Sequence, residues 1–338
     1  MPPLQKRILF VSALGLAMAG LVCTGLRLGA SMAPLSELGQ ALLRDGTHPD
    51  LEYFVWNLRM PKVVAALAVG GALAVNGVVL QTVLRNPLAS SFTLGQSQGA
   101  AFGACYAMIA LASHSLNAHI SMVALGAFGG SLCASACILL LASVRGMTSH
   151  GLILAGVGIS TFFAAATMSL QYFATDSQVA ATLFWTFGDL SKGAWTEALV
   201  AAGTTVLGLA AALRLGWDYD ALQWGDVHAA GLGVPVRKIR ILSVLIASLL
   251  VAVATAFYGV IGFVGLIAPH MVRLLFRHCG HGFLITASAL FGATFLLGAD
   301  LLAQSLLYPV LLPIGILCSF TGVPIFLFLL LRRSVQHA

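Results

Sequence analysis

Charge is what this chain has least of. Only 8% of its 338 residues are Asp, Glu, Lys or Arg, against about 25% in a soluble domain. That scarcity excludes an ordinary water-soluble fold, and no long polar block leaves room for a separate soluble domain. The only lysines are Lys6, Lys62, Lys192 and Lys238, and none follows a glycine. The phosphate-cradling G-x-x-x-x-G-K-[ST] loop is therefore absent, and the chain cannot use ATP in that way by itself. No HExxH or paired-carboxylate motif lies in the apolar runs, where an intramembrane enzyme would need polar catalytic groups at depth. Six cysteines occur without a CxxC. Cys133 and Cys137 share one helical face, and read as small packing residues in preference to metal ligands.

What is present is apolar sequence: 59% hydrophobic residues and a mean hydropathy of +0.97. A helix needs about 20 apolar residues to cross a bilayer. Apolar runs fall near 8–26, 63–83, 92–112, 120–143, 152–173, 194–213, 241–261, 264–276, 283–303 and 306–331. Continuous runs of this length predict helices and not a β-barrel, whose strands alternate over ~10 residues. The expectation is an all-α polytopic membrane protein of about ten spans forming a single domain over residues 1–338. The eighth run is too short to cross unaided. The first has the basic start of a signal peptide, but it is long for a cleaved one and is expected to remain as a span.

Basic residues orient such chains, because they are retained on the cytoplasmic side. With both termini inside, Lys6, Arg7, Arg85, Arg145, Arg214, Arg237, Lys238, Arg240, Arg273, Arg277, Arg332 and Arg333 fall inside. Only Arg27, Arg44, Arg59, Lys62 and Lys192 fall outside, while the acids divide the other way, with Asp218, Asp220 and Asp226 inside. Glycine is abundant, at 36 residues. Gly99-x-x-x-Gly103 and Gly126-x-x-x-Gly130 have the spacing that lets helices approach closely in lipid.

Polar features within this frame are few. Asp300, in LLGADLLAQ, is the acid nearest a span interior and the one support for an ion-coupled carrier acting alone. HCGH, His278 to His281, resembles a fragment of a metal site but lies in a short basic inner loop, where solvation is the simpler reading. The longest inner connection, 214–240, is the most polar inner segment. Its Leu222, Val227, Ala230 and Leu232 could offer an apolar surface to a partner, or lie on the membrane surface as an amphipathic linker. LRMPK puts Arg59 and Lys62 at the outer mouth of the second span, as snorkelling anchors or as a docking point for an acidic partner. In GFVGLIAPHMVRLLF, Pro269 predicts a bend, Arg273 is expected to reach the inner surface beside Arg277, and His270 is expected to be packed and hydrogen-bonded.

Five separated segments, in order, resemble the FecCD family of ABC-transporter permeases. They are RMPKVVAALAVGGALAVNGVVLQTVLRNPLASSFTLGQSQGA, LILAGVGIS, WGDVHAAGLGV, GFVGLIAPHMVRLLF and GADLLAQ…LPIG…TGVPIF. The resemblance implies a type II ABC importer permease of the cell inner membrane, carrying a ferric siderophore, haem or cobalamin. It implies a second permease subunit, identical or not, two ATP-binding subunits that hold the ATP and Mg, and an extracytoplasmic solute-binding protein. No cofactor is expected in this chain. Residue by residue, Arg59 and Lys62 match the pair that receives glutamates from the binding protein. Asn86 and Leu88, with Thr148 and Ser149, match the cytoplasmic gate. Asp226, Ala229, Leu232 and Gly233 match the segment that couples to the ATPase. Gln304 and Leu311 stand where the family pattern has an arginine and a glutamate.

Overall fold

The computed structural model describes residues 3–28, 33–110, 116–143, 149–277, 279–307 and 310–335. Among these residues the regular structure is entirely helical, as it must be where no water satisfies backbone N–H and C=O groups. In chain order the helices are α1 (Pro3–Arg27), α2 (Leu35–Leu43), α3 (Pro49–Phe54), α4 (Met60–Val83), α5 (Gln96–Ala110) and α6 (Leu116–Ser143). There follow α7 (Ser149–Tyr172), α8 (Asp176–Thr186), α9 (Trp195–Arg214), α10 (Gly216–Leu222), α11 (Asp226–Gly231) and α12 (Val236–Tyr258). The chain ends with α13 (Val264–Leu275), α14 (His281–Ser305) and α15 (Ile314–Val335).

Each apolar run contains a helix. Seven helical segments, within or around α1, α4, α6, α7, α9, α12 and α14, are long and apolar enough to cross a membrane. Helix α13 has 12 residues, about 18 Å at 1.5 Å per residue, well short of a ~30 Å hydrocarbon core.

Helix α4 is the mast of the fold, buried along nearly its whole length and packed on α9, α12, α13 and α14. Its glycines explain how. A β-carbon on Gly70 would overlap the Gly292 carbonyl of α14, and one on Gly77 the Gly265 carbonyl of α13. The two glycine motifs seen in the sequence meet each other, Gly99 against Gly130 and Gly103 against Gly126, and so join α5 to α6. Without side chains between them the backbones pack directly, the contact that replaces hydrophobic drive in lipid.

Buried polar side chains add cross-links between helices. Asn76 donates to the Ala247 carbonyl at 2.8 Å, and Gln96 donates to Ser135 and Ser248, each at 3.0 Å. Before α4, Trp56 donates to the Ala41 carbonyl at 3.1 Å and Trp195 to the Trp56 carbonyl at 2.7 Å. These bonds tie α2 and α9 to the π-helical turn Val55–Arg59 that leads into α4.

The proline in α13 has a specific structural outcome. Pro269 lies inside the helix and is buried, so the Gly265 carbonyl one turn back lacks its normal donor. Gln81 of α4 supplies one, with Nε2 3.1 Å from that oxygen. Arg273 does not simply run to the inner surface as expected: its guanidinium donates to Gln81 Oε1. His270 is half-buried.

Candidate functional site

Three regions carry the residues singled out by the sequence. At the N-terminal end of α4, Arg59 ends the π-helical turn and donates to the carbonyls of Leu26 and Arg27 at 2.6 and 3.1 Å. These oxygens close α1, where the helix dipole favours a cation. Lys62 pairs with Asp300 of α14 at 3.2 Å, both side chains largely buried. Gln304 donates to the other carboxylate oxygen at 2.7 Å. Arg59 and Lys62 therefore both have partners within the chain, and Asp300 is not a lone carboxylate. All four line a cavity of about 600 Å³ that also takes in Glu37 and Asn57. Leu311 is exposed at its rim.

At the C-terminal end of α4 the helix closes with a left-handed residue, Arg85, at φ +48°. Asn86 N–H donates to the Gln81 carbonyl at 3.0 Å and Arg85 N–H to the Thr82 carbonyl at 3.1 Å. This is the Schellman pattern, which satisfies helix-end carbonyls and usually takes glycine. Asn86 Oδ1 then accepts from the Leu88 N–H at 2.8 Å, an Asx turn that leaves the Leu88 side chain exposed. Thr148 lies outside the described residues, and Ser149 opens α7. Asn86 and Leu88 thus share one tight turn directly after α4.

Within the segment 214–240, α10 and α11 are joined through Gly225, whose φ of +106° allows the tight turn. Asp226 is exposed and pairs with Arg240 at 3.1 Å. Val227 and Leu232 project outward, but Ala229 is fully buried in the inner core. Leu222 is also buried, and Trp224, which the sequence pattern did not single out, is 78% exposed. Ala230 is exposed as well, so the outward apolar surface is Trp224, Val227, Ala230 and Leu232. Gly233 has φ +85° and open space around its α-carbon. Tyr219 of α10 is fully buried, with its hydroxyl 2.9 Å from Ser243 Oγ of α12. Burial pushes its pKa up to about 12.

One expectation is corrected here. His278 lies outside the described residues, but His281 is not in a solvated loop: it is buried at the first turn of α14. Its Nδ1 lies 2.8 Å from Asp220 Oδ1 and its Nε2 lies 2.9 Å from Thr82 Oγ1. Helix packing desolvates the site, and three polar partners make that burial tolerable. Among the described residues, no group of three His, Cys, Asp or Glu side chains is placed to hold a metal.

The chain is similar to known transport proteins along almost all of its length. An inferred ABC transporter permease of Methanocaldococcus jannaschii, MJ0087, is 47% identical over 290 residues, covering 84% of this chain and 83% of that protein. The hemin transport system permease protein HmuU of Yersinia pestis is 38% identical over 316 residues, covering 91% and 92%. An inferred metal-chelate type ABC transporter, solved in an inward-facing conformation, superposes with a TM-score of 0.83 at 28% identity, covering 95% of this chain and 98% of that one. With its apolar spans, its glycine-packed helices and a match over residues 16–332, the chain is a multi-pass ABC-type permease and belongs to the FecCD transport family.

Proposed function

We propose that this chain is the membrane subunit of an ATP-driven importer for a metal chelate, either haem or a ferric siderophore, or for cobalamin. In this reading it is one permease domain with about ten spans and both termini in the cytoplasm of a cell with this inner membrane. It pairs with a second permease subunit and two ATP-binding subunits that hold ATP and Mg, and it receives its cargo from an extracytoplasmic binding protein. It contributes no ATPase site and no cofactor of its own. The observation that carries the reading is the family match from residue 16 to residue 332. The permease named for hemin transport, matching nine-tenths of the chain, supports the cargo class.

The mechanism is alternating access. ATP-driven closure of the ATPase pair moves the coupling segment, whose Asp226, Ala229, Leu232 and Gly233 form α11 and its exit. Trp224, Val227 and Leu232 are its contact surface, and Ala229 holds it to the permease core. The movement switches the gate of Asn86, Leu88, Thr148 and Ser149. Differential contact of the coupling segment in the two states supplies the free energy. On the outer side a binding-protein carboxylate must compete with Asp300 for Lys62, or engage the cavity rim near Arg59.

The test is uptake of hemin, ferric hydroxamate and cobalamin into proteoliposomes containing the whole complex. Uptake of one of them that requires ATP and the co-purifying ATPase supports the reading. Accumulation by the purified chain alone under an imposed proton gradient would instead favour an ion-coupled carrier. The Lys62–Asp300 pair already weakens that alternative, because the acid it relies on has an internal counter-ion.

A further inference from the structure

The polar contacts at the inner ends of α4, α10, α13 and α14 form a continuous chain. It begins in the coupling segment at Asp220, whose carboxylate accepts from the backbone N–H of His281 at 2.9 Å and lies 2.8 Å from its Nδ1. Gln223, one residue beyond α10, lies 3.1 Å from the same ring nitrogen and donates to Asp220 at 3.3 Å. The opposite ring nitrogen reaches Thr82 at 2.9 Å. Thr82 and its neighbour Gln81 are the residues whose carbonyls hold Arg85 and Asn86 in the helix-closing turn. Gln81 is itself held at both ends of its amide, by Gly265 and by Arg273 of α13.

We propose that Asp220, His281 and Thr82 form a strut that transmits motion of the coupling segment to the inner end of α4 and so to the gate loop at Asn86 and Leu88. The inference rests on the permease reading above and assigns these three residues a positioning role within it. The chemistry suits a stiff link. An imidazole is planar, its two nitrogens point in opposed directions, and each has a partner of fixed geometry. His281 is almost fully buried, and a buried polar group cannot exchange its partner for water without cost. A displacement of α10 therefore either carries His281 and Thr82 with it or breaks the part-buried bonds of Asp220 to His281, or the buried one of His281 to Thr82. Tyr219, bonded to Ser243, fixes α10 to α12 from its other side, so α10 moves together with what it touches. Thr82 is three residues before Arg85, within the same closing turn, which leaves no flexible segment between strut and gate loop.

The experiment uses the complex of this chain with its co-purifying ATPase in proteoliposomes. It reads ATP hydrolysis and the rate at which a hydrophilic maleimide modifies a Leu88→Cys side chain, located by mass spectrometry. The rate is compared without nucleotide and with vanadate-trapped nucleotide. With the strut intact it should differ about ten-fold between these states, the scale of a coupled two-state switch. Thr82→Val and His281→Phe should keep hydrolysis within about two-fold while reducing the difference at position 88 below about two-fold. Thr82→Ser, which keeps the hydroxyl, should restore it. An unaltered difference in Thr82→Val and His281→Phe overturns the strut. So does loss of assembly and hydrolysis together in both variants, since the bonds would then be structural only. A complex with the strut intact that hydrolyses ATP without any change at position 88 fails the gate assignment, and the strut with it.

Discussion

Lys62 near the start of α4 and Asp300 near the end of α14 face each other, with Nζ 3.2 Å from Oδ1 and both side chains largely out of water. Removing one member strands the other. Asp300→Ala or Lys62→Met alone should lower the stability of the detergent-solubilised protein by about 3–5 kcal/mol, whereas replacing both with apolar residues should be close to neutral. Chemical unfolding of the four proteins of this cycle measures the coupling. Additive single effects would show that the pair is no more than a surface contact.

Where the α5 and α6 backbones touch, Gly103 has no room for a β-carbon because the Gly126 carbonyl occupies its place. Gly103→Val should force these helices apart, at a cost of about 1–3 kcal/mol for overpacking. Gly129, on α6 with Gly126 but with open space at its α-carbon, should accept alanine without loss. A thermal-shift comparison of Gly103→Val with Gly129→Ala reads the difference directly.

Exposure separates two residues of α11 that lie two positions apart in the sequence. Val227 is 87% exposed and Ala229 fully buried. Val227→Asp should weaken ATPase association while leaving permease stability unchanged, because a surface substitution of this kind stays within about 0.5 kcal/mol. Ala229→Arg should damage the permease itself, by introducing a charge into its inner core. Co-purification and melting temperature, measured on both variants, distinguish the two outcomes. Gly233→Asp adds a different effect, since φ +85° is a conformation that costs a side-chain residue about 1–2 kcal/mol.

Tyr219 gives the fold an alkaline limit. Its pKa rises from 10.0 in its ordinary state to about 12 in the protein because burial disfavours the phenolate. The folded form thus holds the proton more tightly, and its stabilising effect is complete below about pH 10. That effect declines as pH rises from the unfolded value through the folded one. Tyr219→Phe should lose the Ser243 bond, about 1 kcal/mol, and should show a smaller loss of stability between about pH 10 and pH 12. Unfolding curves for both proteins across that range check the sign.

The helices are legible in the sequence because lipid forces each apolar run to satisfy its own backbone, so that run and helix coincide. The glycine motifs are legible too, although which motif meets which is a tertiary fact. Partnership between distant polar residues is where legibility ends. Lys62 shows itself only as a cation at a span mouth, and nothing local announces Asp300. His281 shows itself only as a histidine in a short basic loop. Its burial follows from α10 and α4, whose contacting residues lie 61 and 199 positions away. Ala229 and Val227 differ by two positions, and on a helix as short as α11 no periodicity is long enough to say which faces inward.

The glycine crossings of α4 have a historical consequence. Glycine is the smallest residue, so a position such as Gly77 or Gly70 has no smaller neighbour to pass through, and every single change adds atoms where a carbonyl already sits. Such positions cannot drift gradually. A lineage can alter them only with a simultaneous shift of the opposing helix, while lipid-facing positions on α1 or α7 are free to wander. Divergence in this chain should accumulate on its outside, around a mast that stays fixed.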